Sequence, residues 1–158
     1  MNNILIKALI FILIISGTSC SYKPIFLEKD YDFEIKKIFT DGDKDINRII
    51  KNKLEFIKKS ENKQKRNYIV KIISAKNRKI ISKNSKGDPL KFEMNILVEY
   101  KILNNNVILL DNEIEKKNVY NNDSDQFKLE QTEDIILENL AESISDNIIS
   151  SIINLDDN

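Results

Sequence analysis

Histidine is absent from the 158 residues, and cysteine occurs only once. The first absence removes the commonest general base and the commonest metal ligand. The second excludes an internal disulfide. Three glycines and two prolines leave little material for a phosphate-cradling loop or for long flexible linkers. Carboxylate pairs such as Asp123/Asp125 and Glu133/Asp134 occur, but on what reads as the solvated start of a helix. No enzyme, no cofactor and no metal site is expected.

The apolar run Ala8–Ile15 follows Lys7 and is eight residues long. A membrane-spanning helix needs about 20. Small residues, Ser16-Gly17-Thr18-Ser19, separate the run from Cys20. A charged start, a short apolar stretch and a small-residue cleavage zone make an export signal over residues 1–19. A cysteine directly after that zone resembles a lipobox, although Gly17 stands where an aliphatic residue is usual. The expectation is diacylation of Cys20 with palmitate-type chains, and the alternative is a plain secretory signal with an incidental cysteine. Two acyl chains hold a protein on a membrane without further inserted segments. In the lipoprotein sorting pattern that this start resembles, Asp after the cysteine favours inner-membrane retention; Ser21 stands there, so the resemblance implies the periplasmic face of the outer membrane as destination.

Without the signal, 139 residues remain, enough for one ordinary domain with a single core. Net charge is zero but unevenly placed. Residues 67–91 carry net +6, and residues 121–158 carry net −9. Such asymmetry bears on partners and solubility, not on fold.

Residues 20–32 read as a tether and 33–158 as the domain. Phe33–Phe39 is the first strand, with its alternation slipping at Lys37. Thr40-Asp41-Gly42-Asp43 supplies turn chemistry and a helix N-cap. Ile46, Ile49, Ile50, Leu54 and Ile57 then recur at helical spacing, and Lys58 and Lys59 suit the end of the helix dipole. Ser60–Asn67 is a polar connection. Tyr68–Ala75 is a strand, interrupted by Lys76–Lys79, with Ile80-Ile81 as its continuation. Ser82–Pro89 is a loop. Phe92, Met94, Ile96, Val98, Tyr100 and Ile102 alternate with polar residues, broken only by Leu97, the pattern of a strand with one buried face. Asn104–Asn106 reads as a hairpin turn. The returning strand covers 107–110 and 114–120, with an irregularity expected near Asp111-Asn112. Asp123 or Ser124 caps the last helix, whose apolar stripe runs from Leu137 through Ile144 to Leu155. The order β-α-β-β-β-α gives a two-layer α/β sandwich, a four-stranded mixed sheet with two amphipathic helices on one face. The other face is left to meet a partner.

Cys20 is followed, after Ser21, by Tyr22-Lys23-Pro24-Ile25-Phe26. This start resembles the Cys-Gly-Phe/Tyr-x-Pro-Leu-Tyr opening common among alphaproteobacterial members of the LptE family, with Ser21 for the usual Gly. The family comprises outer-membrane lipoproteins that partner the lipopolysaccharide-assembly barrel LptD. Element order and mature length also resemble it. The resemblance implies a plug within an LptD-like β-barrel, lipopolysaccharide as ligand, a membrane contact through the lipid anchor, and no nucleic acid. Lipid A is anionic, so the basic stretch supplies candidate contacts: Lys76, Arg78 and Lys79 on the strand, Lys83 and Lys86 in the loop. Another small envelope lipoprotein, such as an auxiliary subunit of a lipid transporter, and a secreted binding module without lipid are the competing readings.

Overall fold

Alternation of apolar and polar residues organises the molecule around its third strand. In the computed structural model, which describes residues 33–56 and 66–156, the six alternating apolar residues Phe92, Met94, Ile96, Val98, Tyr100 and Ile102 are buried, and Leu97 on the other face is half-buried. Burial of the alternating set contributes on the order of 10 kcal/mol gross, at roughly 1.5–3 kcal/mol per large apolar side chain. The elements are β1 (Phe33–Gly42), α1 (Lys44–Phe56), β2 (Arg66–Lys83), β3 (Pro89–Asn104), β4 (Val107–Asn121) and α2 (Gln126–Asp156). The strands lie in the order β1-β2-β3-β4; β1 pairs parallel to β2, and the other neighbours are antiparallel. This is the expected two-layer sandwich with a mixed sheet. Residues 1–32, including Cys20 and the tether, lie outside the described residues, as do the expected helix end at Ile57–Lys59 and most of the connection after it.

Both helices pack on the face that carries Ile35, Val70, Ile72, Ile96 and Tyr100. Ile46, Ile50 and Leu54 of α1 and Ala141, Ile144, Ile148 and Ile152 of α2 are fully buried against it. The small Ala141 and Ser145 sit among these branched side chains; Ser145 Oγ donates to the Ala141 carbonyl within its own helix (2.8 Å). Lys53 joins the two helices through Asp146 (2.9 Å).

The slip at Lys37 is a bulge: Ile35 pairs with Tyr68 and Lys37 with Ile69, so Lys36 is extra. β1 runs three residues further than expected because Gly42 stays in register with Ser74. Gly42 has φ +94°, and a Cβ there would overlap the Ser74 carbonyl oxygen. The N-cap of α1 is Asp43, whose Oδ1 accepts from the amides of Asp45 (3.0 Å) and Ile46 (3.1 Å). Beneath it, Ser74 Oγ lies 2.9 Å from Asn47 Oδ1, and Asn47 Nδ2 donates to the Asp41 carbonyl (2.9 Å). This buried polar knot fixes the β1–α1 corner to β2.

Three expectations need correcting. Lys76–Lys79 does not interrupt the second strand; β2 continues to Lys83, paired regularly to β3 through Ile80 and with register shifts at Ile81 and before Lys83. The cap of α2 is Asp125, not Asp123 or Ser124: its Oδ1 accepts from Phe127 (3.1 Å) and Lys128 (3.4 Å). The irregularity in the returning strand falls at Leu109, between the pairs Ile102↔Leu110 and Leu103↔Ile108, while Asp111 and Asn112 pair regularly.

Candidate functional site

Beyond Ser74, β2 has no β1 neighbour, so its last nine residues form an open edge held only by β3. Open edges are commonly blunted with lysines and other charges. Here the edge carries Lys76, Arg78, Lys79 and Lys83, and the turn beyond it carries Lys86. The turn is built by Asn84. Its Oδ1 accepts from the amides of Lys86 and Asp88 (both 2.9 Å), and its Nδ2 donates to Asp88 (3.0 Å). Gly87, at φ +93°, closes it with a bond to the Asn84 carbonyl (3.0 Å).

Pairing on a strand separates the five basic residues into different environments. Lys76 and Arg78 stand on the helix side, opposite Ile96 and Met94; Lys79 points to the other side, opposite Glu93. Lys76 reaches the capping Asp43 (3.6 Å). Lys79 pairs with Glu93 at 2.7 Å. That hydrogen bond raises the lysine above its ordinary value and holds the Glu93 carboxyl below its own.

Arg78 is the most heavily engaged. Its guanidinium carbon lies 3.8 Å over the Phe92 ring, and Nε donates to the Tyr120 hydroxyl (3.1 Å) and forms an ion pair with Glu133 of α2 (2.9 Å). Tyr120 OH in turn donates to Glu133 (2.7 Å) and its ring packs on Phe92 (5.7 Å between centroids). Burial, together with the Glu133 carboxylate, pushes the Tyr120 phenol up to about 12. The cluster ties β2, β3 and β4 to the early turns of α2. Its chemistry is positional: a charge-balanced lock, with Arg78 already partnered.

Lys83 and Lys86 are different. Both are exposed, and neither has an ion pair among the described residues. Lys91, exposed on β3 near the turn, is also without one. Ile80, Ile81 and Leu90 beside them are more than two-fifths exposed. The distal hairpin is therefore an amphipathic tip, with unpaired ammonium groups beside branched apolar side chains. Such a surface suits an anionic amphiphile, whose phosphates meet the lysines while its acyl chains meet the isoleucines and leucine. Lys91 and the three apolar residues were not singled out from the sequence. The available signal was the apolar flank on both sides of Ser82–Pro89.

Among the described residues no group of acids could hold a metal ion, and no helix is long and apolar enough to cross a membrane.

The architecture defines a class: a β-α-β-β-β-α sandwich with a long antiparallel meander and a helix running its full length. Solved lipoproteins share it. The rare lipoprotein B of Shewanella oneidensis superposes with a TM-score of 0.54 at 17% identity, covering 75% of this chain and 98% of that one. Lipoprotein B of Nitrosomonas europaea gives 0.57 at 18% identity, covering 77% and 83%. A minor lipoprotein of Acinetobacter baumannii gives 0.52 at 16%, covering 77% and 96%. No family model matches the chain, and no curated protein matches it.

Proposed function

We propose that the chain is an LptE-like envelope lipoprotein. It is anchored through acyl groups on Cys20 to the periplasmic face of the outer membrane. There it acts as plug and assembly partner of an LptD-like β-barrel and assists insertion of lipopolysaccharide into the outer leaflet. The fold shared with lipoproteins of the B type and the Cys20–Phe26 start support this reading.

The observation that carries the ligand assignment is the distal tip, where Lys83, Lys86 and Lys91 stand unpaired beside Ile80, Ile81 and Leu90. Lipid A presents phosphates next to acyl chains, and this tip offers both complements. Arg78, held by Glu133 and Tyr120, supports the strand from which the tip projects and is not a contact of first resort.

Two measurements on the detergent-solubilised full chain test the reading. Displacement of a fluorescent lipopolysaccharide should weaken about tenfold in the Lys83→Glu/Lys86→Glu variant, since charge-assisted contacts are worth roughly twice neutral ones. A pull-down should recover a large outer-membrane β-barrel. Unchanged lipopolysaccharide affinity in the variant would remove the tip from the ligand site. Recovery of an inner-membrane lipid transporter instead of a barrel would favour an auxiliary-subunit role.

A further inference from the structure

The strand register gives the domain two distinct ends. Phe33 pairs with Arg66, and three residues along β2, Ile69 pairs with Leu103 of β3, which faces Ile108 of β4. Phe33, where the chain enters from Cys20, is thus level with the β3–β4 turn. Two to three strand spacings, roughly 10–15 Å, separate them across the sheet. The basic distal hairpin lies at the opposite end.

The β3–β4 turn differs sharply from that hairpin. Residues 102–110 (ILNNNVILL) carry no charge. Asn105 and Asn106 have φ +46° and +67°, a tight two-residue connection of the type that matches strand twist. Directly after it, Val107, Ile108 and Leu109 are 61%, 53% and 43% exposed, consecutive along the strand. Consecutive residues on a flat strand would point to alternate faces; the bulge at Leu109 breaks that alternation next to the turn. Below the tip, Lys101 and Asp111 pair at 2.7 Å. The first charges down from the tip are therefore mutually neutralised.

We infer that this turn is a second membrane contact: Val107, Ile108 and Leu109 seat in the headgroup–acyl boundary of a phospholipid surface, beside the acylated Cys20. The inference rests on the lipid-anchor reading and is independent of the barrel partner. Twelve residues, 21–32, stand between Cys20 and Phe33 and span at most roughly 45 Å. The tip lies beside the point where that segment enters, so it meets the anchoring surface with the segment far from its limit. Standing the domain on its distal hairpin instead would require the segment drawn out fully along the domain. An uncharged apolar turn next to the entry point complements a hydrocarbon boundary, where a charged one would be expelled.

The test uses the full chain reconstituted into vesicles of phosphatidylethanolamine and phosphatidylglycerol, with an environment-sensitive fluorophore on Val107→Cys or, as the distal control, on Lys86→Cys. Nitroxide-bearing lipids should quench position 107 at least about threefold more strongly than position 86, because seated groups lie within ~5–10 Å of the boundary. The Val107→Asp/Ile108→Asp/Leu109→Asp variant alters only exposed side chains and should retain its circular dichroism. In it, a label on Asn105→Cys should lose the quenching seen without the aspartates. Acylation is read separately, from the mass of the N-terminal peptide. Acylated, vesicle-bound protein with position 107 unquenched overturns the tip and leaves the anchor standing. Quenching at 107 without acylation refutes the anchor and supports the tip as a contact in its own right. Shielding of 107 from an aqueous quencher without nitroxide quenching assigns the tip to a protein surface and overturns the proposal.

Discussion

Replacing Arg78 with alanine removes three contacts at once: the ion pair to Glu133, the bond to Tyr120 and the stacking over Phe92. The ion pair is partly solvated, with the Arg78 and Glu133 side chains 43% and 22% exposed, so screening limits it. It contributes about 0.5–1 kcal/mol. The cation–π contact adds roughly 0.5–1 kcal/mol. Glu133 keeps the Tyr120 hydroxyl as donor, so its half-buried carboxylate is not left bare. The expected loss is therefore about 1.5 kcal/mol, with an appreciable fall in the urea midpoint and an unchanged slope. Lys83→Ala and Lys86→Ala break no side-chain ion pair or hydrogen bond among the described residues and should stay within about 0.5 kcal/mol of the parent. Lipopolysaccharide affinity should sort the other way, falling for the two lysines and holding for Arg78→Ala under conditions where that variant is folded. Urea unfolding followed by circular dichroism, together with ligand displacement, reads both quantities. Equal stability of Arg78→Ala and Lys83→Ala would refute the division of this cluster into a lock and a ligand surface.

Three further outcomes follow from geometry. Gly42→Ala forces a Cβ onto the Ser74 carbonyl at positive φ, whereas Gly87→Ala meets open space. Backbone strain of about 1–2 kcal/mol is common to both, and Gly42→Ala adds the disrupted β1–β2 pairing, so its melting temperature should fall at least twice as far. Asp125→Ala should cost about 1 kcal/mol as a lost N-cap, while Ser124→Ala should be neutral in the same urea assay; the reverse order would contradict the cap. Tyr120 has its folded pKa raised to about 12 from an ordinary 10.0, so its neutral form contributes stability that is complete below pH 10 and is lost as pH rises toward 12. Thermal melts across pH 9–12 should fall more steeply for the parent than for Tyr120→Phe, and parallel curves would count against this account.

The sequence spoke most clearly where one residue's environment follows from its near neighbours. β3 alternates because one face is core, Asp43 caps because a helix starts beside it, and the slip at Lys37 is a bulge for the same local reason. It spoke least clearly where partners come from far along the chain. Lys76–Lys79 looks like a break because charged residues replace apolar ones. Yet the strand persists through pairing with Met94 and Glu93, and the charges mark the end of β1's cover. The candidate site shows the same limit. Clustering of basic residues was legible, but Arg78's engagement by Tyr120 and Glu133, 42 and 55 residues away, was not. Nothing in the local pattern distinguished a partnered guanidinium from a free ammonium. Cys20 lies outside the described residues and rests on the sequence alone.

The unbroken run of β3 sets a length. From Leu103, level with the apolar turn, to Pro89, beside the basic hairpin, fourteen steps cover about 45 Å along the strand. α2, with 31 residues, runs about as far and splints the sheet along its core face. The domain therefore works as a gauge of fixed span: standing on the apolar turn, it holds its basic end about 45 Å from that surface. A bilayer with its headgroups is about 40–45 Å thick. Standing upright inside a barrel with the apolar turn at the near interface, the domain would bring Lys83 and Lys86 level with the far headgroups; lying outside one, it would hold them that distance into the periplasm. Determining on which side of the anchoring leaflet position 86 lies distinguishes the two placements.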